Sequence, residues 1–186
     1  MKRRYFKESA MGHVYQRTWD RGVVFYSDVD FVNFFTLICV AAQKYGVRIV
    51  AICLMHDHFH MIVESESCQN ISAFLQYCTA LHAREINHDT ENSGKFWQKS
   101  YGMAMKSGEK KKRTALAYVC NNGVEKHLAE RTEGYRWNFL AYFLSDTPFS
   151  SDPSAASPTD VLVLRQSPAL KKLKASARTS HKLGLP

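Results

Sequence analysis

Two apolar stretches separated by a short polar turn constrain the fold of this chain more than any other feature. The first is VRIVAICLM (47–55), which is rich in β-branched residues, and the second is HFHMIVE (58–64). Both patterns are typical of β-strands, and the two residues between them, His56 and Asp57, allow only a tight connection. The sequence therefore predicts a pair of consecutive strands here, and their apolar character predicts that they are buried.

Patterns typical of helices and further strands flank this pair. Residues 27–46 begin with a Ser-x-x-Asp capping box, continue with apolar residues at helical spacing and end at a glycine. We predict further helices from Asn70, as an N-cap, and from near Thr114, and further strands at 13–19 and 96–105. The predicted order is β-α-β-β-α-β followed by a helix. That order indicates an α+β, ferredoxin-like fold, with an antiparallel sheet, helices on one face and an added C-terminal helix.

The composition indicates one globular domain. A chain of 186 residues with 45% hydrophobic residues can bury a substantial core. We place the domain at residues 1–146, because residues 147–186 are rich in Ser, Pro and Lys and are expected to be partly disordered or docked.

The charge and the cysteines narrow the class of protein. A formal net charge of +8 favours a polyanionic partner such as nucleic acid. The five cysteines are scattered and odd in number, which predicts reduced thiols and not a disulfide framework. No stretch resembles a signal peptide or is long enough to span a membrane, so we expect a cytoplasmic protein without a membrane partner.

The second strand of the pair carries histidines at alternate positions. Side chains two residues apart on a strand share a face, so His58 and His60 lie on one face and Phe59 on the other. Two imidazoles about 6–7 Å apart along the backbone can converge on one divalent ion. The simpler interpretation is that both are polar residues on an exposed sheet face.

An ordered set of motifs favours the metal interpretation. CLMHDHFHMIV (53–63) resembles the HUH motif, His-hydrophobe-His, of single-tyrosine transposases, and in particular of REP-associated tyrosine transposases. Further segments resemble that family in the same order, over roughly residues 11–143: GHVYQRT, KYGVRIVAICLM, FWQKSYG, YVCNNGVEKHL and YRWNFLAY. The HUH triplet alone is a weak signal, but the ordered set is specific.

The resemblance implies an enzyme that nicks and rejoins single-stranded or hairpin DNA through a 5′-phosphotyrosine intermediate. His58 and His60 match the family's metal ligands, and Tyr118 matches its nucleophile. Asn122 matches the polar residue that completes the metal site, and its i+4 spacing from Tyr118 places both on one helix face. The implied cofactor is Mg²⁺ or Mn²⁺, with no organic cofactor.

The chain departs from the family pattern at two turns. It has Met55-His56-Asp57 where relatives commonly have Met-Pro-Asn, and Asn122-Gly123 where they have Asn-Pro. Both departures keep turn-forming residues. We interpret His56 as a turn residue facing solvent and Asp57 as an Asx-type turn residue, and Gly123 could act as a hinge.

A run of four basic residues precedes the tyrosine. Such a run is usually a solvated loop, but beside a phosphate-cleaving site a contact with the DNA backbone is the better hypothesis. The candidate DNA-binding residues are Lys110, Lys111, Lys112 and Arg113, with Arg3, Arg4, Arg17, Arg21 and Lys99 extending the surface. Candidates for stacking on bases are Trp19, Trp97 and Tyr101.

Three alternatives remain open at this point. The chain could be a domesticated DNA-binding protein that no longer cleaves, an RNA-binding module with the same strand order, or a metal-dependent nuclease that uses water. Tyr77, Tyr101 and Tyr135 compete with Tyr118 for the role of nucleophile, but none has an Asn at i+4. The chain could act as a monomer or as a homodimer that exchanges the tyrosine helix.

Overall fold

The structure, a computed structural model, describes residues 11–91, 93–98 and 100–144. Its elements follow the predicted order and confirm the predicted α+β class. The elements are β1 (Met11–Arg17), α1 (Asp28–Tyr45), β2 (Val47–Met55), β3 (His58–Ser65), α2 (Cys68–Asp89), β4 (Gly102–Lys106), α3 (Glu109–Glu125), a 3₁₀ helix (Thr132–Gly134) and α4 (Phe139–Leu144). The predicted extension at 147–186 lies outside the described residues.

The four strands form one antiparallel sheet in the order β2-β3-β1-β4. Met55 pairs with His58, which closes the predicted tight turn between β2 and β3. On the central strand β1, Tyr15 lies between His60 of β3 and Gly102 of β4. The strand that carries both histidines is therefore an interior strand, held by hydrogen bonds on both sides.

Helix α1 has the ends that its sequence predicts. The Ser27 hydroxyl accepts a hydrogen bond from the backbone N–H of Asp30, and the Asp30 carboxylate accepts one from the N–H of Ser27. At the other end Gly46 has a φ of +61° and its N–H donates to the carbonyl of Ala42. This left-handed cap is the conformation that glycine adopts without strain.

Helices α1 and α2 cover one face of the sheet. The ring of Phe34 in α1 lies 5.5 Å from that of Phe59 in β3, so this is the face that the strand pattern predicts for Phe59. Helix α2 begins two residues before Asn70, because Ser67 is the N-cap and its hydroxyl accepts a hydrogen bond from the N–H of Asn70. No helix in the described part of the chain combines the length and apolarity that a bilayer crossing requires.

Helix α3 covers the opposite face of the sheet, which carries the histidines. It packs against β2 and β3 through Ala115 and Val119. The predicted start near Thr114 is wrong, since α3 begins at Glu109. The Thr114 hydroxyl does not cap the helix but donates to the carbonyl of Lys110, one turn back within it.

The chain after α3 returns along the outer edge of β2. The N–H of Leu54 donates to the carbonyl of Trp137 at 2.9 Å, and Cys53 forms an isolated antiparallel bridge with Asn138. The Tyr135 hydroxyl donates to the carbonyl of Leu54 at 2.7 Å. This returning segment supplies hydrogen-bond partners that the edge strand would otherwise lack.

The fourth strand is shorter than predicted. Only Gly102–Lys106 forms β4, while residues 96–98 make separate backbone bonds to the end of β1, including Gln98 N–H to the carbonyl of Arg17. The Trp97 side chain is buried, with its ring 5.6 Å from that of Phe34. Packing of this indole into the core accompanies the break between the two paired segments.

Candidate active site

A cleft of about 530 Å³ opens on the α3 side of the sheet. Strands β1 and β3 supply imidazole and aromatic side chains, and α3 supplies a phenol and an amide. The side chains that matter most for its chemistry are His13, Tyr15, His58, His60, Tyr118 and Asn122. The cleft therefore brings together the four residues that the resemblance implied, from two elements far apart in sequence.

The two strand histidines lie side by side in this cleft. The ring centroids of His58 and His60 are 5.1 Å apart and the rings are nearly perpendicular. Both residues are buried, although they line the cleft. The interpretation as polar residues on an exposed sheet face is therefore wrong, because α3 covers that face.

Asp57 orients His58 and does more than form a turn. Its carboxylate makes a short hydrogen bond with Nδ1 of His58, and its other oxygen lies 3.5 Å from Nε of Arg17. A carboxylate that accepts from Nδ1 fixes the tautomer that leaves Nε2 with a free lone pair. His56, in contrast, is exposed and its ring contacts Phe31.

His13 holds His60 in a similar way, and the sequence interpretation did not single it out. Nε2 of His13 lies 3.0 Å from Nδ1 of His60, within hydrogen-bond distance. If Nδ1 of His60 donates, Nε2 of His60 is free to bind a cation. The available signal was strand alternation, which places His13 and Tyr15 on one face of β1, but nothing in the sequence shows which strand β1 pairs with.

Burial keeps these three imidazoles neutral near pH 7. Burial, with the neighbouring His58 and His13, lowers the pKa of His60 to about 3. Burial also lowers the pKa of His58 and of His13, and the Asp57 carboxylate only partly opposes the effect at His58. Neutral imidazole is the form that binds metal ions.

Tyr118 and Asn122 face the histidines from α3. The Tyr118 ring centroid lies 5.4 Å from that of His60 and 5.6 Å from that of His13. Tyr118 is 40% exposed, whereas Asn122 is 1% exposed. The Asn122 Nδ2 group donates to the carbonyl of Tyr118 at 3.2 Å, which leaves the amide oxygen as the acceptor available to the cleft.

The donors in the cleft fit a divalent cation. Two neutral imidazoles and one amide oxygen form a mixed nitrogen and oxygen set of the kind that Mn²⁺ and related ions accept. Within the described residues, no group of three His, Cys, Asp or Glu side chains is placed to hold a metal ion. A site here would therefore need Asn122 beside His58 and His60.

The basic run lies in the first turns of α3 and not in a loop before it. Lys110 and Lys111 line a second cleft on the other side of Tyr118. Lys112 instead forms an ion pair with Glu109 at 3.1 Å. The main cleft has its own cations, which are Arg17, Arg21 and Lys126, whereas Arg3, Arg4 and Lys99 lie outside the described residues.

The competing tyrosines have other partners. The Tyr101 hydroxyl lines the cleft but shares a 2.7 Å hydrogen bond with the hydroxyl of Ser72. Tyr77 packs against Tyr45, and Tyr135 is buried against α3. Of the residues proposed for base stacking, Trp97 is buried and unsuited, and Trp19 is exposed beside Lys95.

Comparison with known proteins identifies the family of this chain. The family model described as "Transposase IS200 like" matches residues 7–122, more than half of the chain. This α+β protein with a histidine-tyrosine cleft belongs to the IS200-like transposase family. No match is found among the curated proteins.

Two solved structures are similar to the chain. A REP-associated tyrosine transposase bound to a REP hairpin has 14% sequence identity and a TM-score of 0.59, covering 82% of this chain and 92% of the other. A candidate transposase from Deinococcus radiodurans R1 has 20% identity and a TM-score of 0.45, covering 65% and 97%. The first likeness shows a shared fold.

Proposed function

We propose that this transposase nicks and rejoins single-stranded DNA next to a hairpin, with Tyr118 as the nucleophile and a divalent metal ion bound by His58, His60 and Asn122. The observation that carries the proposal is the position of the Tyr118 ring, 5.4 Å from His60 in the same cleft. Family membership supports the reaction class. Hairpin DNA is proposed because the similar transposase structure contains one. Such an enzyme would act in the cytoplasm beside its DNA.

The proposed cleavage step is a transesterification. The phenolic oxygen of Tyr118 forms a bond to phosphorus while the bond from phosphorus to the 3′ oxygen breaks. Tyr118 loses a proton and the leaving 3′ oxygen takes one up, so the step is balanced without water. The resulting 5′-phosphotyrosine is itself a phosphodiester. When a 3′-OH attacks its phosphorus, the tyrosine oxygen leaves and a DNA strand is resealed.

The neutral histidines and Asn122 support this step by holding the cation. When bound, Mg²⁺ or Mn²⁺ polarises the scissile phosphate and neutralises charge that develops on it. Asp57 and His13 orient the two imidazoles through their Nδ1 atoms. The DNA backbone is attracted by cationic side chains at the cleft and on α3. They are Arg17 and Arg21 at the cleft and Lys110, Lys111, Lys112 and Arg113 on α3.

Replacing Tyr118 by Phe tests the proposal. The substitution keeps the ring that packs beside His60 and His13 and removes the only oxygen proposed to attack phosphorus. We expect Tyr118→Phe to fold and to bind Mn²⁺ and DNA like the wild type, but to form no covalent adduct and no nick. The measurement uses end-labelled hairpins with single-stranded flanks, Mn²⁺ or Mg²⁺, and denaturing gels that retain protein–DNA adducts.

Tyr101→Phe is the matched control, because Tyr101 lines the same cleft but its hydroxyl shares a hydrogen bond with the hydroxyl of Ser72. A Tyr118→Phe variant that still cuts and leaves a free 5′-phosphate would make water the nucleophile. An adduct that persists in this variant would move the role to another residue. A wild-type protein that binds the hairpin and never cuts would support the non-cleaving alternative.

A further inference from the structure

A second cleft, which we call the lysine cleft, lies beside α3 on the far side of Tyr118 from Asn122. It has a volume of about 720 Å³ and lies between the end of β4 and the first half of α3. The side chains that define it are Lys106, Lys110, Lys111, Thr114 and Ala115, with His13 and Tyr118 as the wall shared with the main cleft. A molecule that reaches past Tyr118 from the proposed active site enters this space.

The lysine cleft presents cations without neutralising carboxylates. Within the described part of the chain, Lys106, Lys110 and Lys111 form no ion pair, whereas the neighbouring Lys112 is paired with Glu109 and its side chain is only 17% exposed. None of the described acidic residues lines the cleft. Three ammonium groups around one concave surface attract a phosphate.

The floor of the lysine cleft is apolar. Ala115 is buried, most of the lining surface is apolar, and Ala115, His13 and Tyr118 are among the residues that line it. The Thr114 hydroxyl is turned away, since it donates to the carbonyl of Lys110. A surface with a cationic rim and an apolar, partly aromatic floor matches the two halves of an unpaired nucleotide.

We propose that the lysine cleft binds a nucleotide of the substrate strand adjacent to the scissile phosphate, with its phosphate on Lys106, Lys110 and Lys111 and its base on the floor. The proposal rests on the proposed function for the position of the scissile phosphate, and it adds a site on the other side of the nucleophile. Bound nucleotides on both sides of Tyr118 orient the phosphorus for attack. The proposal also separates the four residues of the basic run into two pairs, because Lys110 and Lys111 line this cleft and Lys112 and Arg113 do not.

Two pairs of substitutions with equal change in charge test this division. Lys110→Gln with Lys111→Gln removes two cations from the cleft, and Lys112→Gln with Arg113→Gln removes two from other parts of α3. Binding of oligothymidylate to the full chain is measured against salt concentration without metal, so that cleavage does not contribute. We expect the first pair to reduce the affinity about tenfold, and to flatten the slope of log K against log salt by about 0.7 for each phosphate that the protein no longer neutralises.

The matched pair, Lys112→Gln with Arg113→Gln, should reduce both the affinity and the salt slope by less. Equal reductions in both pairs would show only general attraction by the helix and would overturn the proposal. So would an unchanged slope in the first pair.

A single nucleotide locates the site. Titration of thymidine 3′,5′-bisphosphate should shift the backbone amide NMR signals of Lys106, Thr114 and Ala115 in the wild type. These shifts should disappear in the Lys110→Gln, Lys111→Gln pair and persist in the Lys112→Gln, Arg113→Gln pair. Shifts confined to the His58 and His60 cleft would overturn the proposal. Tyr118→Phe should keep the shifts, so a failure of the proposed nucleophile and a failure of this site give different results.

Discussion

At the scale of single residues, Asp57 shows how a residue that is not a proposed metal ligand can affect the site. It links Arg17 of β1 to His58 of β3, and it accepts a hydrogen bond from the ring nitrogen that does not face the proposed metal ion. Such partners raise the basicity of a ligating imidazole and fix its orientation. The carboxylate therefore bears on metal affinity although it is not a proposed ligand.

We expect Asp57→Asn to weaken Mn²⁺ binding by about tenfold, because it keeps the turn and removes the charge that supports His58. Isothermal titration calorimetry on the metal-free protein measures the change. Asp28→Asn is the control, since Asp28 forms an ion pair with Arg136 away from the cleft. Equal affinity in Asp57→Asn and wild type would show that the carboxylate serves the turn alone.

The residues of the site differed in how far the sequence could indicate them. His58, His60, Tyr118 and Asn122 are indicated by motifs that resemble those of the transposase family, and the structure brings them into one cleft. The role of His13 depends on folding, because His13 reaches His60 only through the pairing of β1 with β3. No local pattern encodes a partner 47 residues away. Asp57 is the sequence neighbour of His58, and only its contact with Arg17 depends on the fold.

At the scale of elements, α3 depends on a close approach at Gly123. The Tyr135 ring occupies the space next to it, so that an added Cβ would lie 2.5 Å from Cγ of Tyr135. Gly123 lies within α3 and is buried. In this structure it is a packing position of the helix that carries Tyr118, which gives the suggested hinge no support.

We expect Gly123→Ala to lower the free energy of unfolding by about 1–3 kcal/mol, because the methyl group overpacks against Tyr135. Urea denaturation measures the loss. In a Tyr135→Ala background the same substitution should be neutral or stabilising by up to about 1 kcal/mol, since alanine favours helix more than glycine does. An equal loss of stability in both backgrounds would show that contact with Tyr135 is not its cause.

The elements whose positions the sequence predicts well are those with strong local signals. The capping box and terminal glycine fix α1, and the β-branched run fixes β2. The predicted start of α3 is five residues late, because Thr114 has the chemistry of a cap and the true N-cap, Gly108, makes no side-chain hydrogen bond. The predicted start of β4 is too early, because Trp97 bridges Thr18 in a separate paired segment and the strand itself begins at Gly102.

At the scale of the whole molecule, one chain contains all the residues proposed for catalysis. The Tyr118 ring lies beside those of His60 and His13 of the same chain. The same two rings, His13 and Tyr118, separate the main cleft from the lysine cleft. The proposed nucleophile therefore lies between the two clefts that are proposed to bind DNA.

A buried histidine on the other face of the sheet makes the stability of the whole fold depend on pH. His82 of α2 is enclosed by aromatic rings, with its centroid 4.6 Å from that of Phe34 and 5.6 Å from that of Trp97. Burial lowers the pKa of His82 to about 3, from an ordinary value of 6.5. As the pH falls below 6.5, the unfolded chain binds this proton first, so stability is lost from there down to about pH 3.

We expect His82→Leu to reduce this loss by up to about 1.4 kcal/mol per pH unit between pH 6 and 4, relative to wild type. Denaturant unfolding at each pH, in the presence of a chelator, measures the difference. The chelator removes any divalent ion held by His58 and His60, because metal binding would add a pH dependence of its own. Proton uptake by these two histidines on unfolding is common to both proteins. Parallel pH profiles for the two proteins would mean that His82 is not protonated when the fold is lost.

The returning segment at 135–138 also covers an edge of the sheet that a shorter chain would expose. The match to the family model ends at residue 122, yet the N–H of Leu54 donates to the carbonyl of Trp137. A chain cut after α3 would present the rim of β2 as a bare template on which a second copy could add a strand. Truncation there would favour self-association through this exposed edge, even with every residue of the cleft still present.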